Sequence, residues 1–113
     1  MKTLIKGSDL ILNIKLEDMN KIPVRIGDTN YFSIKIYTTD ESDCIEAKYE
    51  NGVYTNIVVQ PTIDQIYIES SDLESLQNGA LCYTYEFAIY NEHFEDELYN
   101  EIQKGCTHIY LRN

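Results

Sequence analysis

The sequence contains little alanine, proline and glycine, and too few cysteines for a disulfide framework. It has no Trp, only 2 Pro and 5 Gly, and 3 Ala among 113 residues. The cysteines Cys44, Cys82 and Cys106 are an odd number, separated by 38 and 24 residues, a spacing typical of no disulfide scaffold. We therefore expect three free thiols, buried as small apolar side chains and slow to react.

Long apolar runs are also missing. No window of about 18 apolar residues is present, which argues against a transmembrane helix. The segment Met1–Ile5 is interrupted by Lys6–Asp9 before the apolar core of a signal peptide is reached. The sequence predicts a soluble chain without an export signal and without a membrane partner.

Basic side chains are scarce and unevenly distributed. Lys and Arg number 9 against 19 Asp and Glu, so the net charge is -10. Residues 1–40 carry a net charge of +1, whereas residues 41–113 carry -11. Binding to nucleic acid requires the opposite sign, so no nucleic-acid partner is expected. Two interpretations stay open: an acidic surface that only keeps the chain soluble, or a near-neutral N-terminal part that docks while the acidic part faces outward.

The residues that are abundant favour β-structure. The chain has 15 Ile, 4 Val and 8 Thr, whose β-branched side chains fit a pleated sheet better than a helix. It also has 10 Tyr, a residue that tolerates a half-exposed sheet face. This composition predicts an all-β protein.

Alternating apolar residues predict individual strands. In Leu10–Leu16 the apolar positions 10, 12, 14 and 16 share one face, and Phe32, Ile34 and Ile36 do so in Tyr31–Tyr37. Further strands are predicted at 45–49, 53–59, 64–68, 81–90 and 107–111. The dipeptide Asn51-Gly52 predicts a tight hairpin with Tyr49 opposite Tyr54. The strand 53–59 is apolar on both faces, which leaves open whether it is central or covered by a partner.

Two segments have less regular patterns. Ser71 and Glu74 form the capping box of one short helix near residues 71–77, which Asn78-Gly79 would end. In 94–104, Phe94, Leu98 and Ile102 have helical spacing, yet residues 98–102 joined through Lys104-Gly105 to the last strand also form a hairpin pattern. We favour the hairpin.

About seven short strands separated by turns predict a single domain over residues 1–113, an immunoglobulin-like antiparallel β-sandwich.

No motif indicates an enzyme or a cofactor. The residues Cys82, His93, Cys106 and His108 lack the usual spacing of a zinc site, and no motif supports a cysteine nucleophile paired with a histidine. The acidic run that includes Glu92, Asp96 and Glu101 lacks the ligand order of a calcium loop, so a solvated loop is preferred. We expect no catalytic, cofactor-binding or metal-binding residues.

Tyrosines on the faces opposite the most apolar positions are the candidate interface residues. Tyrosine is enriched at interfaces because it buries a large area and keeps a polar tip. The candidates are Tyr31, Tyr37, Tyr54, Tyr67, Tyr90 and Tyr110.

Two short stretches resemble a known class of proteins. Ile5-Lys6-Gly7-Ser8-Asp9-Leu10 followed by an alternating strand is similar to the start of small immunoglobulin-like phage virion domains, including the N-terminal domain of baseplate upper proteins. Leu76-Gln77-Asn78-Gly79-Ala80-Leu81-Cys82-Tyr83 resembles a stretch of small virion proteins from crAss-like and other Bacteroidales phages. Phe94-x-Asp96, Tyr99-Asn100 and Thr107-x-Ile109-Tyr110-Leu111 continue the pattern. Glu95 and Glu97 stand where such proteins tend to have proline and glycine.

The resemblance implies a structural subunit of a virion, made in the bacterial host cytoplasm. It would lie on the capsid or at the head–tail region, present or anchor fibres, and contact other virion proteins and copies of itself. The alternative hypothesis is an acidic inhibitor or DNA mimic that binds a basic host protein.

Overall fold

A computed structural model describes residues 2–113 and confirms an all-β protein. Its strands are β1 (Lys2–Ile5), β2 (Leu10–Ile14), β3 (Leu16–Glu17), β4 (Pro23–Val24), β5 (Tyr31–Tyr37), β6 (Ile45–Glu50), β7 (Val53–Thr55), β8 (Ile57–Val59), β9 (Asp64–Ile68), β10 (Gly79–Tyr90) and β11 (Leu98–Arg112). A 3-10 turn covers Ile26–Asp28, and α1 is a single turn at Ser70–Leu73.

Six strands form the main sheet, in the order β1-β11-β10-β5-β6-β7. Four of its five pairings are antiparallel, but β1 runs parallel to β11. The expectation of a purely antiparallel sandwich is therefore wrong. A parallel pair needs a long crossover connection, and β1 and β11 have nearly the whole chain between them.

The smaller sheet contains β2, β9 and β8 in that order, and β3 pairs with β4 alone. The predicted strand 53–59 is divided at Asn56, which has a φ of 57° and whose side-chain amide donates to the Glu46 carbonyl at 3.0 Å. Residues before Asn56 belong to the main sheet and residues after it to the smaller one. Both halves are edge strands of their sheets, so the segment is not central, and Val53, Tyr54, Val58 and Val59 are exposed on it. The described residues form more strands than the seven expected, because 10–16 and 53–59 are each divided in two and because β1 and β4 were not predicted.

The inner faces of the two larger sheets share one buried core. Phe32, Ile34 and Ile36 of β5 are buried there, as predicted, together with Leu81 and Phe87 of β10. The smaller sheet and its neighbours contribute mainly Leu10, Leu16, Ile57, Ile66 and Ile68. The strands curl into a half-barrel around this core.

The hairpin at Asn51-Gly52 is confirmed. Glu50 pairs with Val53 and Tyr49 pairs with Tyr54, so the turn contains only the two predicted residues. Asn51 and Gly52 have φ values of 52° and 78°, the left-handed conformation that a type I′ turn requires.

The short helix is present but its predicted cap is wrong. α1 begins at Ser70, one residue before the expected start, and its N-cap residue Glu69 makes no side-chain capping bond. Instead the carboxylate of Asp9, 61 residues earlier, accepts the Ser70 N–H at 2.8 Å. A tertiary contact therefore replaces the local Ser71–Glu74 box.

Neither interpretation of residues 94–104 is correct. β11 runs without interruption from Leu98 to Arg112, and its antiparallel partner is β10, with Tyr90 opposite Leu98. The turn between them is 91–97, where Glu97 has a φ of 60°. Gly105 lies inside the strand, opposite Tyr83, and makes no turn.

Candidate functional site

The outer face of the main sheet carries four of the six candidate tyrosines. On β5, Tyr31 and Tyr37 alternate with the buried core positions and lie at the two ends of the strand. Tyr90 ends β10, and Tyr110 lies near the end of β11. These four residues on this side of the sheet are called the tyrosine face below. The tyrosine face has one cluster at each end rather than a continuous stripe.

The first cluster contains Tyr31 and Tyr90. Tyr31 is directly opposite Ala88, which lies two residues before Tyr90 on the same face. The Tyr31 hydroxyl donates to Asn100 Oδ1 at 3.5 Å. Burial and the carboxylate of Glu86 raise the pKa of Tyr31. Tyr90 has no such cover and is 64% exposed, which makes it the most accessible of the candidates.

The second cluster lies beside a disulfide. Tyr37 is opposite Cys82 and forms a hydroxyl–hydroxyl hydrogen bond of 3.0 Å with Thr84, while Tyr110 is opposite Ala80. Cys82 and Cys106 face each other across β10 and β11 and are disulfide-bonded, with Cα atoms 3.8 Å apart.

The expectation of three free thiols is therefore wrong. Residues 24 positions apart became direct neighbours because β11 returns along β10 in this register. In this form neither sulfur is a thiolate, so the hypothetical zinc set loses two of its four ligands. Cys44 remains free, and burial raises the pKa of its thiol. The expectation that all three cysteines are buried is also wrong, because Cys44 and Cys82 are half-buried and Cys106 is exposed.

Tyr67 lies on a different surface, the outer face of the smaller sheet. It pairs with Ile11, which is exposed, and its hydroxyl donates to Gln65 at 3.1 Å. The Gln65 amide in turn donates to Asn13 at 2.9 Å. Together with exposed Val58 these residues form a second, smaller patch that the sequence pattern did not separate from the first.

Tyr54 lies at the edge of the main sheet and packs towards the core side. Its ring centroid is 4.6 Å from that of Tyr49, and its hydroxyl lies against Gly27, where an added Cβ would be 2.8 Å away. Burial and Tyr49 raise its pKa. Tyr54 is the one of the six candidates that packs against another aromatic ring, although 39% of its surface is exposed.

A third surface at the β10–β11 turn was missed at the level of sequence. Met19, Phe94, Leu98 and Tyr99 line an open cavity of about 740 Å³ together with Glu95 and Asp96. The Tyr99 hydroxyl donates to Glu101 at 2.7 Å, and burial together with this bond raises the pKa of Tyr99 to about 12. The sequence pattern did not indicate this surface, because Met19 lies 75 residues from Phe94 along the chain.

The acidic side chains of this turn are exposed and separate. Asp96 accepts the Leu98 N–H at 3.1 Å, and Asn91 accepts the His93 N–H at 3.0 Å, so these side chains shape the turn. Over residues 2–113 no group of three or more His, Cys, Asp or Glu side chains is arranged to hold a metal ion.

Comparison with known proteins provides no relative. No protein-family model, curated protein or solved structure matches the chain. Within residues 2–113 no helix has the length and apolar character needed to cross a membrane.

Proposed function

We propose that this chain is a non-enzymatic structural subunit of a phage virion, and that it assembles with its neighbours through the tyrosine face. The observation that carries the proposal is the position of Tyr31, Tyr37, Tyr90 and Tyr110 on one side of a six-stranded sheet. Aromatic residues are enriched where protein surfaces meet, and a rigid sheet presents them at low entropic cost.

The composition of the tyrosine face supports contact with protein. Between its two clusters lie Lys35, Glu86, Ile102 and Lys104, a mixture of both charges with one large apolar side chain. Such a mixture suits a partner of alternating charge, whereas a phosphate backbone would require a basic stripe.

The virion setting rests on the resemblance of two sequence stretches. Ile5–Leu10 connects β1 of the main sheet to β2 of the smaller sheet, and Leu76–Tyr83 leads from α1 into β10. Both stretches therefore lie where the chain enters a sheet. We propose that the shared core between two sheets makes the domain immunoglobulin-like, as in the virion domains that it resembles, and that its place is the capsid surface or the head–tail region.

Mass spectrometry of purified particles tests the virion setting. We expect the chain at many copies per particle. Its absence from intact particles, with abundant free protein in the infected cell, would overturn the proposal.

Paired variants test the tyrosine face. Tyr31→Ser combined with Tyr90→Ser removes one cluster, and Tyr67→Ser is the matched control on the other sheet. We expect the double variant to lose incorporation into particles while Tyr67→Ser keeps it. The reverse result would place the docking surface on the smaller sheet. Equal incorporation of the unaltered chain, the double variant and Tyr67→Ser would show that neither surface is needed for docking.

The acidic inhibitor is the second candidate, because Glu92, Glu95, Asp96 and Glu97 are all exposed on one turn. That function requires a monomer whose binding to a basic protein weakens steeply with added salt. Sedimentation of the purified chain at low and high salt, alone and with particle components, separates the two candidates.

A further inference from the structure

The last strand has a long unpaired edge. β11 pairs with β10 without a break from Leu98 to Cys106, and the register shifts before Tyr110. On its other side, in the part of the chain that the structure describes, β11 pairs only with β1, over Ile109–Arg112. The segment Leu98–Lys104, called the open edge below, has no strand beside it. Its pairing with β10 has no bulge, and it contains no proline. Bulges and prolines are two of the features that protect natural edge strands against pairing with another chain, and of the other such features the open edge has the charged side chains of Glu101 and Lys104.

The hydrogen-bond pattern shows which backbone groups of the open edge point outward. Asn91 N–H donates to the Glu97 carbonyl at 2.9 Å, so that pair is hydrogen-bonded, and antiparallel ladders alternate bonded with unbonded pairs. Leu98, Asn100, Ile102 and Lys104 therefore direct their N–H and C=O groups away from β10. In agreement, the Leu98 N–H is bonded to the Asp96 side chain.

We infer that the open edge pairs with the open edge of a second copy of this chain, antiparallel and around a two-fold axis at Ile102. This inference rests on the proposed function in one respect, that copies of the chain meet one another. An edge that meets its own copy in the antiparallel sense forms a closed, two-fold contact and joins the two main sheets into one.

The charges of the open edge disfavour two of the alternative registers. With the axis at Ile102, its side chain meets its own counterpart, Asn100 lies opposite Lys104, and Glu101 lies opposite Gln103. An axis at Glu101 would place two carboxylates opposite each other. An axis at Lys104 would place two ammonium groups opposite each other. Like charges directly opposite destabilise a sheet, so the Ile102 register is favoured over both.

The side chain at the axis is suited to the contact. Ile102 is 62% exposed and lies on the same side of the sheet as the tyrosine face, between its two clusters. Pairing would cover this apolar side chain and place the tyrosine faces of both copies side by side. The net charge of -10 on each chain opposes the contact, so added salt should strengthen it.

A cysteine introduced at the axis tests the register. Ile102→Cys in a Cys44→Ser background places two thiols opposite each other across the axis, and mild oxidation should give a covalent dimer. Val53→Cys, in the same background, is the control, because Val53 is 64% exposed on β7 at the far edge of the same sheet. A dimer from Ile102→Cys alone supports the inference, whereas equal or absent cross-linking of the two variants overturns it.

Sedimentation separates failure of this inference from failure of the proposed function. Ile102→Asp places two carboxylates at the axis and should weaken dimerisation about tenfold or more, while Val53→Asp should leave it unchanged. If the Ile102→Asp protein remains fully associated, the open edge is not the contact, and the proposed assembly through the tyrosine face stands. If the unaltered chain is monomeric at all salt concentrations and absent from particles, both proposals fail.

Discussion

The ring of Tyr83 lies against Gly105, its partner across β10 and β11, so closely that a Cβ on Gly105 would be 2.7 Å from the Tyr83 hydroxyl oxygen. Gly105 does not have the positive φ that marks Gly7, Gly52 and Gly79. Position 105 therefore requires glycine because of the neighbouring ring and not because of the backbone conformation. An aromatic ring that covers a glycine on the next strand is a known way to fix strand register.

We expect Gly105→Ala to lower the free energy of unfolding by about 1–3 kcal/mol, since the ring must move out of a packed position. Denaturant unfolding measures the change. The control is the same substitution in a Tyr83→Leu background, where the ring is gone and the cost should largely disappear. Equal costs in both backgrounds would show that Tyr83 is not the cause.

The Asn51-Gly52 turn isolates a backbone effect. Gly52 has a φ of 78°, and an added Cβ there would meet nothing within 4 Å. Gly52→Val should therefore destabilise by about 1–3 kcal/mol through backbone strain alone. A lowered denaturant midpoint checks this, and Asn51→Gly, which relieves a positive φ of 52°, is the matched variant expected to leave stability nearly unchanged. An unaltered midpoint for Gly52→Val would refute the type I′ turn.

The disulfide has consequences for the mass of the native protein and for its free energy of unfolding. Native protein should be about 2 Da lighter than its reduced form, and alkylation of unfolded but unreduced protein should modify Cys44 alone. Cys82→Ser with Cys106→Ser should cost about 3 kcal/mol, because the bond closes a loop of moderate length, while Cys44→Ser should cost much less. Alkylation of all three cysteines without reduction would contradict the bonded pair.

Tyr99 predicts a loss of stability at alkaline pH. Its pKa is about 12 in the folded chain and 10.0 when unperturbed. Between these values the unfolded chain ionises while the folded chain does not, so stability is complete below about pH 10 and falls as the pH rises to about 12.

Comparison of the denaturant midpoints of the unaltered chain and Tyr99→Phe from pH 9 to 12 isolates this effect, because all other groups titrate in both. The difference between the two proteins should shrink or reverse above about pH 10. Parallel curves would show that Tyr99 is not shielded from solvent and from Glu101 in the way described.

Local chemistry along the chain determined a large part of this protein. Alternation placed Phe32, Ile34 and Ile36 in the core, because side chains of a strand point to opposite faces in turn. Asn51-Gly52 determined its hairpin, because few other dipeptides adopt two positive φ values. Both signals arise from adjacent residues, so no knowledge of distant contacts was needed.

Only the tertiary structure decided which segments meet. The disulfide, the Asp9 cap of α1 and the pairing of Tyr83 with Gly105 join residues 24, 61 and 22 positions apart. The parallel pairing of β1 with β11 and the open edge of β11 were also decided by the tertiary structure, because both depend on where the neighbouring strands end. Such contacts depend on register and sheet order, and a period of two along a strand carries no information about its neighbour.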